Sequence, residues 1–180
     1  MKKLFYFIII LIFGACSVTT EEETKATATS SSTTFPDYET TTLSGKISGT
    51  AWTVKTGRVL VPTSDTGSYK VYMINDNLSN ACSSSYSYTA SNPLVYFSRD
   101  NLTVGETELG LGAGYGTVSY FTGSTTYLIT KGKIRIDTHT TTAVTGKMYS
   151  IFGTDTDSEI NGTFTLSRCC LSSGSYSLCE

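Results

Sequence analysis

From Leu43 onward, apolar and polar residues alternate in short runs separated by Gly, Asn, Asp and Ser, and no run keeps a helical spacing. Lys133-Ile134-Arg135-Ile136-Asp137 is the cleanest case: a strand there points both isoleucines to one side and the charges to the other. Residues 159–169 behave alike, with Ile160, Phe164 and Leu166 on one face and Asn161, Thr163, Thr165 and Ser167 on the other. In a strand over 68–75, Tyr69, Val71 and Met73 face one way, Tyr72 and Ile74 the other. Further strands are expected at 93–99, 111–122, 125–130 and 143–152, with a first pair between 44 and 61. Gly123-Ser124 reads as a hairpin turn, 62–67 and 153–158 as turns, and 75–85 as a loop. Eight or nine short strands in this rhythm predict an all-β domain over 44–180, an antiparallel β-sandwich or barrel. That length is enough to bury a core, in which Trp52, the only tryptophan, is expected to pack.

The amino-terminal pattern is different. Lys2 and Lys3 precede ten apolar or aromatic residues, 4–13, and then the small Gly14 and Ala15 before Cys16. Basic, apolar and small in that order mark an export signal, and the run is shorter than the roughly 20 residues a membrane-spanning helix needs. Leu11-Ile12-Phe13-Gly14-Ala15-Cys16 resembles a bacterial lipobox, with Phe13 standing where leucine is usual. The resemblance implies a signal peptide over 1–15, cleavage after Ala15, and a diacylglyceryl group on the Cys16 sulfur, often with a further acyl chain on its amino group. Two or more acyl chains hold a protein at a membrane where one binds only marginally. Ser17, with no aspartate beside the cysteine, resembles lipoproteins sorted to the outer membrane of two-membrane bacteria. The pattern Gly45-x-Ile47-x-Gly49-x-x-Trp52, with Gly162-x-Phe164 near the end, also resembles small β-rich domains of bacterial lipoproteins that carry no known activity.

Composition separates this leader from the domain by a tether. Fourteen of the 27 positions in 17–43 are Ser or Thr, and five acids face the single Lys25. Such a segment buries too little apolar surface to offset its ordering entropy, so 16–43 is expected to be a lipidated, disordered spacer. As a flexible coil it spans roughly 30 Å. Residues 44–180 carry ten acids and ten bases, a net charge of zero. Without concentrated positive charge, nucleic acid is not an expected partner.

Five cysteines are present, and giving Cys16 to lipid leaves Cys82, Cys169, Cys170 and Cys179, an even set that in an exported chain suggests disulfides. A bond between neighbours 169 and 170 is strained, which leaves Cys82 with one of them and Cys179 with the other. Strand alternation puts Cys170 on the Phe164 face and Cys169 opposite, so the two cannot easily share a partner; of the two pairings left, Cys82–Cys169 with Cys170–Cys179 is the one expected. A metal site is not expected, since there is no Cys-x-x-Cys and the lone His139 is remote in sequence. Asp155, Asp157 and Glu159 alternate like calcium ligands, but too few ligands accompany them and turn chemistry accounts for them.

The glycines at 110, 112, 114 and 116 lack the spacing of a nucleotide loop and suit a bent or closely approached strand. Sequons at Asn77, Asn101 and Asn161 are expected by chance in a Ser/Thr-rich chain. His139, placed outward by parity with Lys133, Arg135 and Asp137, has no nucleophile elbow to serve. No catalytic residue and no cofactor site is therefore assigned. Of the twelve tyrosines, Tyr86, Tyr88, Tyr115 and Tyr120 lie in or beside Gly- and Ser-rich stretches where exposed rings meet partners. The expectation is a non-enzymatic, lipid-anchored binding module, its partners membrane lipid through Cys16 and an envelope protein or glycan. The alternative is a purely structural or shielding lipoprotein.

Overall fold

A computed structural model of the protein describes residues 34–83, 89, 92–112, 116–154 and 157–180. Among them there is no helix, and the strands are β1 (Ser44–Ile47), β2 (Thr50–Thr53), β3 (Thr56–Leu60), β4 (Tyr69–Ile74), β5 (Leu94–Arg99) and β6 (Gly105–Gly110). The chain continues through β7 (Val118–Phe121), β8 (Thr126–His139), β9 (Ala143–Phe152), β10 (Glu159–Ser172) and β11 (Ser175–Leu178). The pairing order β10-β3-β4-β5-β7-β8-β9 returns to β10, so seven strands close into a barrel. Closure resolves the choice between sandwich and barrel. Every neighbouring pair around the ring is antiparallel except the short seam between β3 and β10, where Arg58, Val59 and Leu60 run alongside Ser167, Arg168 and Cys169.

Two long strands organise the rest. β8 pairs with β7 at 126–128 and with β6 at 131–136, while β9 covers its other edge. β10 pairs with β9 over 159–167 and with β11 over 169–172, and its opposite edge takes β1 and then β3. The expected break between 130 and 133 is absent. Gly132 keeps β8 continuous because a Cβ there would stand 2.3 Å from the Tyr149 carbonyl oxygen, so only glycine allows β9 this close. Of the expected strand at 111–122, β7 forms over 118–121 and residues 113–115 lie outside the described residues, while two strands not foreseen, β6 and β11, carry few inward apolar residues to announce them.

The inward rows fill the barrel. Val71 and Met73 of β4, Ile134 and Ile136 of β8, and Phe164 and Leu166 of β10 lie in one buried cluster, as alternation foretold. Leu43, Ile47 and Trp52 join it, with Trp52 1% exposed and its Nε1 donating to the Pro93 carbonyl at 3.3 Å. Small residues face large ones: Cβ atoms at Gly57 and Gly146 would stand 2.1 Å from Leu166 Cδ2 and 2.6 Å from Phe164 Cζ. A small barrel filled in this alternating way is a packed core rather than a ligand cavity.

The domain begins earlier than 44. The compact unit runs Thr34–Glu180, and residues 34–43, expected to be tether, lie against the barrel as a strap. Leu43 is fully buried, Thr163 N donates to the Thr41 carbonyl, and Leu43 N donates to the Thr163 carbonyl, both at 2.8 Å. Apolar Leu43 and the aromatic residues Phe35 and Tyr38 supply what the Ser/Thr count concealed.

Candidate functional site

Cys16, the tether before Thr34, Tyr86, Tyr88, Tyr115 and Asp155 all lie outside the described residues. The other four cysteines meet as favoured: Cys82 with Cys169 and Cys170 with Cys179, at Cα separations of 5.5 and 5.1 Å. The first bond ties the connection between β4 and β5 to the outside of the barrel. Ile74, Leu94, Cys82 and Cys169 are buried there, apart from the main core cluster. Arg58, 6% exposed, donates to the carbonyls of Ala81 and Ser83 on the same connection.

Arg58 also begins a row that the sequence did not reveal. Its guanidinium lies 5.0 Å from the Tyr72 ring centre; Tyr72 and Tyr96 are 5.1 Å apart, Tyr96 and Phe121 6.0 Å. The row crosses β3, β4, β5 and β7 on their outward faces, with each of the three rings partly exposed. Tyr120 goes the other way. It is 2% exposed, faces inward against Tyr127 and Phe152, and its phenol is pushed up to about 12 by burial and then by Tyr127. It is therefore no partner-contacting ring, because its parity on β7 is inward while that of Phe121 is outward.

The remaining candidates disperse. The irregularity between Ile136 and Thr138 reverses the parity of β8, so His139 pairs with Val144 of the core row rather than following Arg135 outward. It remains exposed at the barrel rim, edge-on to Tyr69 at 6.1 Å. Partial burial, then the charge of Arg168, lowers its pKa, opposed by a backbone hydrogen bond at Leu102. No nucleophile is arranged upon it by any described hydrogen bond.

Of the glycine stretch, Gly114 lies outside the described residues; Gly110 N donates to the Gly116 carbonyl and Gly116 N to the Glu108 carbonyl, a parallel bridge between Leu109 and Gly116. Asp157 and Glu159 line an open cleft of about 330 Å³ with Glu39, Lys46 and Asn161. Among the described residues, no three His, Cys, Asp or Glu side chains are grouped to hold a metal ion. The Asn101 side chain caps Thr103, and Asn161 is 8% exposed.

Asn161 of β10 binds the strap. Its Oδ1 accepts from Glu39 N at 3.1 Å and its Nδ2 donates to the Asp37 carbonyl at 3.0 Å. Phe35 lies 6.1 Å from the ring of Tyr149, and Lys133 Nζ stands 4.4 Å from the ring centre of Tyr38. The Tyr38 hydroxyl donates to Glu106 at 3.0 Å. Burial, then this bond and the Glu106 charge, raise the Tyr38 pKa. Burial and then Glu159 raise that of Tyr149. The strap thus meets β6, β8, β9 and β10, across the ring from the aromatic row on β4 and β5.

No family model, curated protein or solved structure matches this chain. Among the described residues no helix is long and apolar enough to cross a membrane.

Proposed function

We propose that the protein is a lipid-anchored component of a bacterial cell envelope, acylated at Cys16 after removal of residues 1–15, whose β-barrel is a non-enzymatic interaction module. The anchor rests on the sequence of residues 1–16. The observation that carries the interaction reading is the partly exposed row Tyr72, Tyr96 and Phe121, on the wall across the barrel from the strap. Rings of this kind offer large contact area at small entropic cost. With an interior occupied by its own side chains, the barrel has its outer wall as the surface for contact. An envelope protein or a glycan is the partner class, the outer membrane the expected site.

Two measurements test this. Cys16→Ser is expected to release the chain from the membrane fraction or leave it unprocessed, and unchanged fractionation removes the anchor. Tyr96→Ala in the full chain is expected to reduce retention of envelope components at least tenfold while the thermal midpoint stays within a few degrees. Equal retention by both chains assigns the row to sheet packing alone. The filled interior supports a second reading, a structural or shielding lipoprotein without a small-molecule ligand.

A further inference from the structure

We propose that the outer wall formed by β6, β8, β9 and β10 is a recognition groove for an extended peptide of the type Phe-Pro-Asp-Tyr. Residues 35–39 of the chain fill it here in cis, and the same segment of a second copy is its occupant in trans. The strap is recognised in the way a groove recognises a peptide. Asn161 offers its amide edge to the main chain, bonding the Asp37 carbonyl and the Glu39 N–H as a neighbouring strand does. Those bonds hold an extended backbone whatever its side chains.

Side-chain choice comes from two aromatic stations. Tyr149 packs on Phe35, while Lys133 and Glu106 hold the face and hydroxyl of Tyr38. Pro36 keeps the preceding Phe35 extended before it docks, which lowers the ordering cost of binding. Asn161 and Tyr149 are 8% and 5% exposed, so the groove is closed by the strap itself.

The two halves of the strap are held differently. Leu43 is fully buried and bonded through its backbone to Thr163, which fixes the root. Residues 34–40 are exposed apart from the two partly buried rings, and among the described residues they are held by their side-chain stations, the Asn161 clasp and a Thr41–Glu39 side-chain bond. The clasp bonds are part-buried and the Tyr38 hydroxyl bond is exposed, so each contributes little beside the buried root, and the outer half exchanges while the root stays. The segment in cis competes at an effective concentration of the order of millimolar. A second copy therefore competes where copies are crowded, a condition that rests on the anchoring proposed above; the groove itself does not.

The test is a fluorescent peptide of residues 34–40 titrated onto the full chain and onto full-chain F35A/Y38A, read by anisotropy. The peptide is expected to bind the double variant at least tenfold more tightly than the wild type, because the competing segment has lost its anchors. Asn161→Ala or Lys133→Ala in the double variant is expected to weaken the peptide at least tenfold. Equal binding to both chains overturns the proposal. So does no binding to F35A/Y38A at millimolar peptide, with circular dichroism showing the barrel folded. Repeating the titration with Cys16→Ser separates groove from anchor, since the groove requires the same affinity with or without acyl chains.

Discussion

Gly146 and Gly57 show how much of this barrel is decided at single positions. A Cβ on Gly146 would stand 2.2 Å from the Arg135 carbonyl oxygen on one side and 2.6 Å from Phe164 Cζ on the other. Gly146→Ala is expected to lower stability by about 1–3 kcal/mol, the usual cost of overpacking, seen as a lower urea midpoint with unchanged slope. Gly49 has open space and only its left-handed φ of 75° to defend, so Gly49→Ala is expected to cost less, about 1 kcal/mol. An equal loss at both sites would show that crowding is not what Gly146 avoids. Tyr120 makes a second prediction. Its folded pKa, pushed up to about 12, exceeds the unfolded value near 10, so burial of the neutral phenol contributes stability in full below pH 10. That contribution is lost as pH rises from 10 towards 12, and Tyr120→Phe is expected to flatten the alkaline fall in thermal midpoint. None of these roles was legible in the sequence. A glycine or tyrosine in a strand gives its face by parity, but what stands opposite depends on register.

At the level of elements, residues that alternate strictly were read well. Ile134 and Ile136 point inward, and β9 has its expected limits, because a strand with one buried face must keep period two. The parity argument also set Cys169 and Cys170 on opposite faces, and the structure gives the first to Cys82 and the second to Cys179. The two bonds close loops of very different length, with sequence separations of 87 and 9. In the chain-entropy model they contribute about 4.6 and about 2.6 kcal/mol. Removing the first with Cys82→Ser/Cys169→Ser is expected to lower the urea midpoint clearly more than Cys170→Ser/Cys179→Ser, and the opposite order would rule out loop entropy as the main source. Parity failed at His139 because one irregular step in β8 exchanges the faces beyond it, a displacement with no signature in residue type. The strap failed for another reason. A Ser/Thr-rich composition predicts no core, yet Leu43, Phe35 and Tyr38 need only a preformed wall to lie on.

For the whole molecule, the step that matters is closure. The seam joins 58–60 of β3 to 167–169 of β10, contacts separated by most of the folded chain. Barrels dominated by such non-local pairing fold on the order of milliseconds to seconds, and Trp52, buried and the only tryptophan, supplies the stopped-flow signal. Refolding in microseconds would mean that Trp52 is buried before the seam forms. The sequence by itself determined the all-β class, the inward rows, the even cysteine set and the balanced charge of residues 44–180, because each follows from residue type and a local period. Only the tertiary structure decided that the sheet closes, that the strap belongs to the domain, and that Arg58, Tyr72, Tyr96 and Phe121 form one row. Those facts depend on which strands become neighbours and in what register, and period two is the same for an open sheet as for a closed one.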